Sequence, residues 1–232
     1  VEDADIWSGQ DIIIQDGVNA GENGRIEAMG NISARFFENA HIISHSDIKC
    51  DYMLNTTALA YGGIYLEGKR GSVIGGDVTG VRGICIKACG SESYSKTVLR
   101  VGVTKEISSE YAKVLMVLKD IDTQIDRFNQ ALQKLDILKK AGSDKFDETL
   151  NRKLLQSKIV KTAEKAKYEE KSRNLYTLVR ESDRAVVRID KNIYPGSRVF
   201  MGDKTYVPST VFTHIALKKT SQGVLIRNYD SM

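Results

Sequence analysis

The sequence predicts a mainly β chain with a long α insertion: a single-stranded parallel β-helix over residues 1–103, an antiparallel coiled-coil helical hairpin over 104–184, and a C-terminal β segment over 185–232 that packs back on the β-helix or caps it. Three observations predict it. Apolar residues recur every five or six positions near the start, a three-and-four seam runs through the middle, and alternating strands with hairpin turns return at the end.

The β-helix rests on Ile26, Ile32, Phe37, Ile42, Ile48, Leu54, Leu59 and Ile64, which follow one another at intervals of five or six and resume with Val73, Val78 and Ile84. That period is neither helical nor simple alternation. It fits short strands that each send one apolar side chain into a narrow common core and then turn a corner. The chain has 19 glycines against 2 prolines, and Gly71, Gly75, Gly76, Gly80 and Gly83 mark joints of the repeat. An antiparallel sandwich is the competing architecture, but it spaces its turns about every 8 to 12 residues.

The hairpin follows from Tyr111, Val114, Leu118, Ile121, Ile125, Phe128, Leu132, Leu135 and Leu138, a heptad seam. Ser108 or Ser109 is expected to cap its start, since a serine oxygen accepts from the unpaired amides of a first turn. Lys139 and Lys140 suit the negative end of the helix dipole, and Gly142 stops the helix. A first helix of about 32 residues would project about 48 Å. Asp144 is expected to cap a second helix beginning near Phe146, whose inward row is Leu150, Leu155, Ile159, Thr162 and Ala166 before the register slips to Tyr168, Leu175 and Leu178. The short turn at Ala141 to Ser143 makes the two helices antiparallel.

The C-terminal segment rests on Val186, Val187 and Ile189, a turn at Tyr194, Pro195 and Gly196, and two strand pairs: Val199 to Met201 with Thr205 to Val207, and Val211 to Leu217 with Val224 to Arg227. A solenoid end exposes unpaired backbone, so this segment is the expected cap.

Composition bounds the function. A net charge of +4 does not announce a nucleic-acid binder. No stretch reaches the roughly 18 apolar residues that span a bilayer. Three cysteines, Cys50, Cys85 and Cys89, make an odd number that argues against a disulfide framework and for a reducing compartment, the cytoplasm. The chain begins at Val1 in an acidic stretch with Glu2, Asp3 and Asp5, so it is expected to be a piece of something longer.

Chemistry finds little support. His41 and His45 stand four apart, but a strand and a corner give no converging ligand geometry; Cys85 and Cys89 lack a zinc spacing. The glycine run from Gly68 to Gly83 lacks the lysine and hydroxyl that a phosphate loop places after its last glycine. No catalytic residue, cofactor or metal is expected. One surface feature remains: the second helix carries Arg152, Lys153, Lys158, Lys161, Lys165, Lys167, Lys171 and Arg173 against Glu164, Glu169 and Glu170, a larger positive excess than the whole chain's. An ordinary solvated helix face competes with a docking strip for an acidic protein surface.

Residues 30 to 40, Gly-Asn-Ile-Ser-Ala-Arg-Phe-Phe-Glu-Asn-Ala, then Asp47-Ile48, Gly71-Ser72-Val73-Ile74-Gly75-Gly76 and Ile86-Lys87-Ala88, resemble the flagellar assembly protein A family of bacteria. The order of parts is similar too, with a hairpin after Val101-Gly102-Val103 and a return through Ile193-Tyr194-Pro195-Gly196. The resemblance implies a right-handed parallel β-helix in a cytoplasmic protein of flagellation or motility, with no catalysis, no cofactor and additional N-terminal sequence. The expected function is a non-enzymatic scaffold whose arm docks other proteins of the flagellar or cell-pole machinery, without nucleic acid or membrane insertion and with self-association left open. A hexapeptide-repeat acyltransferase, which keeps a stricter six-residue period and uses a histidine base, and a polymerising β-helix cytoskeletal protein are the alternatives.

Overall fold

The computed structural model describes residues 4–21, 24–103 and 105–228. Expectations that fall on Glu2, Asp3 and Thr104 lie outside the described residues. Contacts gather the chain into two units, one of Val1–Thr104 with Leu178–Met232 and one of Lys105–Thr177.

The first unit is a parallel β-solenoid whose turns each lay one short strand on each of three sides. The first turn is β1 (Ile6–Ser8), β2 (Ile12–Ile13) and β3 (Val18–Asn19); the second is β4 (Arg25–Ala28), β5 (Ile32–Ser33) and β6 (Phe36–Glu38). The third begins with β7 (His41–Ser44) and β8 (Ile48–Cys50). Next, β9 (Tyr52–Ala60) serves the third side of that turn and the first side of the next, β10 (Gly63–Leu66) the second side, and β11 (Ser72–Gly80) repeats the double duty. β12 (Gly83–Ile86) and β13 (Ala88–Cys89) complete the fifth turn, and β14 (Thr97–Val101) opens another.

Register stacks like on like. Parallel pairing aligns Ile6, Ile26, Ile42, Ala58, Val78 and Leu99 on the first side. It aligns Ile12, Ile32, Ile48, Ile64 and Ile84 on the second, and Val18, Phe37, Met53, Val73 and Cys89 on the third. From the second turn onward these side chains are all but closed to solvent. Each such burial favours the fold by about 1.5–3 kcal/mol relative to exposure for the larger aliphatics. The five-and-six spacing is thus the distance from side to side. Its one slip is at Leu54 and Leu59, which point outward and are half-buried, while Met53 and Ala58 fill the core. The strand they share bends at Asn55, whose φ of 47° shifts the alternation at the corner.

Corners are held by side chains reaching one turn ahead. Where the first side meets the second, Asp11 Oδ1 accepts the Asn31 amide at 2.7 Å, Asn31 Oδ1 accepts the Asp47 amide at 3.2 Å, and Asp47 Oδ1 accepts the Gly63 amide at 2.7 Å. Each carboxylate or amide oxygen satisfies a donor that the interrupted ladder leaves open. Gly76, at φ 80°, faces the Thr56 carbonyl so closely that any Cβ would collide with it.

These corners are short. Val81 and Arg82 alone join β11 to β12, whereas one turn later the same corner runs from Gly102 to Ala185 and contains both helices. Gly102 still donates to the Val81 carbonyl at 3.2 Å, and Gly83 is paired with Val186 beyond the insertion. The ladders then resume through β15 (Val186–Ile193) and β16 (Ser197–Met201), which places Val187, Ile193 and Val199 on the three inward columns. Beyond them the pairing becomes antiparallel: β16 with β17 (Lys204–Tyr206), β15 with β18 (Phe212–Lys219), and β18 with β19 (Val224–Asn228).

The second unit is formed by α1 (Lys105–Lys140) and α2 (Glu148–Ser182), which is counted with the solenoid from Leu178 on. α1 starts before Ser108 and Ser109, so neither serine is its cap. Its seam is the expected one: Val114, Ile121 and Leu135 are buried, and Tyr111, Leu118, Ile125, Phe128, Leu132 and Leu138 are half-buried. It ends in a glycine C-cap, with Ser143 donating to the Leu138 carbonyl and Gly142, at φ 62°, to that of Lys139. The cap of α2 is Asp147 rather than Asp144: its Oδ1 accepts the amides of Thr149 at 2.8 Å and Leu150 at 3.0 Å.

Candidate functional site

The eight cations of α2 do not share one face. The row of α2 withdrawn from solvent is Asn151, Leu154, Lys158, Lys161, Lys165, Tyr168, Ser172 and Leu175, at alternating steps of three and four. Lys158, Lys161 and Lys165 are therefore half-buried seam residues, and Arg152, Lys153, Lys167, Lys171 and Arg173 are exposed. Lysine suits such a seam because its methylene stem packs against apolar neighbours while the ammonium reaches an acid.

Ion pairs absorb much of the remaining charge. Lys165 Nζ lies 2.7 Å from Asp122 of α1 and 3.6 Å from Glu169, and Lys171 Nζ lies 2.7 Å from Glu110 of α1. The hydrogen bonds to Asp122 and Glu110 raise the pKa of each ammonium, so both stay charged. Lys161 is held by Glu164 at 2.7 Å, and Arg152 reaches Glu148 at 3.7 Å with both side chains well exposed. Lys153, Lys158, Lys167 and Arg173 have no ion pair among the described residues. Solvent screens exposed pairs of this kind, so they add little to stability.

The expected inward row of α2 is overturned by the same geometry. Leu150, Leu155 and Ile159 are exposed, Ile159 at 69%, and Thr162 and Ala166 are exposed beside them. A row chosen mainly by aliphatic residues, with Thr162 among them, breaks after Ala166. The row that runs unbroken includes three lysines, and its regular three-and-four spacing was the available signal. The outward apolar row is the feature that sequence reasoning missed.

Other candidate chemistry stays dispersed. His41 lies in β7; His45, at the next corner, stacks on Tyr61 with ring centroids 4.9 Å apart and places Nε2 3.6 Å from Glu27; His214 lies in β18. Cys50 and Cys89 are buried core residues and Cys85 is half-buried. Among the described residues no group of three or more His, Cys, Asp or Glu is placed to hold a metal ion, and no helix is long and apolar enough to cross a membrane.

A family model described as the flagellar assembly protein A beta solenoid domain matches residues 1–222. No curated protein and no solved structure matches the chain.

Proposed function

This chain belongs to the flagellar assembly protein A β-solenoid family, and we propose that within flagellar assembly it is a cytoplasmic, non-enzymatic scaffold whose helical arm docks other proteins. The carrying observation is the corner from Gly102 to Ala185. The preceding turn makes that corner with Val81 and Arg82 alone, so the solenoid has no geometric need of α1 and α2. A long excursion that the core does not require is kept for what it reaches.

The arm is read as an antiparallel coiled coil. Glu110, Tyr111 and Asp122, in ascending order along α1, meet Lys171, Tyr176 and Lys165 of α2, so partners near the start of one helix come from near the end of the other. The solenoid is read as right-handed, the hand that parallel crossover connections overwhelmingly take. The antiparallel strands β17, β18 and β19 are read as its cap, since they end the parallel ladders. Inward columns that advance by 16 to 21 residues per turn disfavour an acyltransferase of strict six-residue period.

Removing residues 103–184 and joining Gly102 to Ala185 tests the reading. The resulting two-residue corner equals Val81–Arg82 in length. From the cells in which the parent chain functions, the tagged variant is expected to fold but to lose the proteins that purify with the parent; retention of those proteins would move docking to the solenoid.

A further inference from the structure

Between Thr149 and Lys167 the exposed side chains of α2 are apolar, neutral polar or cationic, and none is acidic. Glu164 lies within that stretch, but it is half-buried and tied to Lys161 at 2.7 Å. Exposed Leu155, Ile159, Ala163 and Ala166 recur at steps of four, four and three, which places them on one side of the helix over about three turns. Leu155 is 44% exposed and Ile159 69%. Arg152 and Lys153 stand at one end of this ridge and Lys167 at the other; Lys153 and Lys167 have no ion pair among the described residues, and Arg152 has only the long, exposed contact to Glu148.

Two independent properties therefore coincide on one face. The apolar ridge points away from the row that α2 withdraws from solvent, and Lys153 and Lys167 beside it have no ion pair among the described residues, while the exposed acids of that side, Glu148 and Glu170, stand beyond the two ends of the ridge. We infer that this face seats an amphipathic helix of a partner protein whose flanks are acidic: its apolar residues cover Leu155, Ile159, Ala163 and Ala166, and its carboxylates meet Arg152, Lys153 and Lys167. The inference rests on the arm being a docking element and specifies which face docks and what chemistry it accepts. Apolar anchors at helical spacing match the way helices recognise one another, and the two alanines let a second helix approach closely. Charge decides between occupants. The same face of a second copy would bring cations towards cations, whereas an acidic helix gains attraction and faster encounter.

The probes are two fluorescent 21-residue helical peptides with the same leucine seam, one with glutamate and one with lysine at the flanking positions, together with vesicles of phosphatidylserine and phosphatidylcholine. Anisotropy titration of the full chain is expected to show binding of the glutamate peptide, at least about ten-fold weaker binding of the lysine peptide, and no vesicle association. L155Q/I159Q should weaken the glutamate peptide about ten-fold or more, as expected when two buried aliphatic contacts are lost. K153E/K167E should weaken it and reduce its salt dependence, while M116Q, at an exposed apolar position of α1, should leave it unchanged. Unaltered circular dichroism certifies that each variant is folded. Failure of the parent to bind the glutamate peptide, equal binding of both peptides, vesicle association sensitive to L155Q/I159Q, or concentration-dependent self-association abolished by L155Q/I159Q would each overturn the inference. Binding lost on excision of residues 103–184 but kept by L155Q/I159Q would overturn this face alone; binding kept after the excision would overturn the arm as the docking element.

Discussion

At Cys89 the third side of the fifth turn places a thiol where earlier turns place Val18, Phe37, Met53 and Val73. Burial pushes its pKa up to about 12, against a smaller opposing hydrogen bond with Ser197; burial also raises Cys50, with Asp51 adding to the shift. Cys85 points outward and is raised mainly by partial desolvation. A thiol-reactive probe at pH 8 should therefore modify Cys85 first, and Cys50 and Cys89 only after unfolding, with peptide mapping to identify the sites. Asp203 shows the opposite shift. The hydrogen bond from Lys219 at 2.9 Å, aided by a backbone amide and Lys204, lowers its pKa to about 2 from the usual 3.8. Its carboxylate thus supports the folded state above pH of about 4, and that support fades as pH falls towards about 2. Carbon-detected NMR titration should place Asp203 near that lower value, and Lys219→Met should move it up. Single residues were also where the sequence was least legible. Leu54 and Leu59 fit the period as well as Met53 and Ala58, and only the bend at Asn55 decides which pair faces in.

At the scale of elements, α1 was legible because its seam is aliphatic and aromatic throughout, an unbroken apolar row at three-and-four spacing that outweighs the scattered exposed Leu115, Met116 and Ile137. α2 was not, because its row withdrawn from solvent mixes half-buried Leu154 and Tyr168 and buried Leu175 with half-buried Lys158, Lys161 and Lys165. Aliphatic residues then mark the outward face, and a reading by hydropathy is rotated from the true seam. The cations of the basic strip divide between a half-buried row, in which Lys165 meets Asp122 and Lys161 meets Glu164, and a surface that carries Lys153 and Lys167. The consequence is measurable. Ile121→Ala, at a site 2% exposed, should destabilise the arm by about 2–5 kcal/mol. Leu155→Ala should change it by no more than about 0.5 kcal/mol, and thermal unfolding followed at 222 nm distinguishes the two. A Leu155→Ala variant as damaged as Ile121→Ala would restore the original row. Both C-terminal hairpins were visible because Gly202 with Asp203, and Ser221 with Gln222 and Gly223, are turn residues between alternating strands.

At the scale of the whole molecule, the solenoid is built from contacts one turn apart, and such proximity explains why a local period revealed it. Pairings that span the insertion, such as Leu99 with Val199 and Ile84 with Val187, have no local signature, since only the fold brings them together. That the last strands continue ladders begun in the first hundred residues follows from register rather than from pattern. The flagellar assembly family was legible in the residue runs that carry the resemblance, while the docking face proposed above required knowing which side of α2 is withdrawn from solvent. The solenoid passes through the insertion as if it were one more corner, with the ladders of β12 and β14 resumed by β15 and β16. Amide hydrogen exchange on the variant that joins Gly102 to Ala185 tests this most directly: β14, β15 and β16 are predicted to stay as protected as in the parent chain, and loss of protection there, with the variant otherwise soluble, would contradict it.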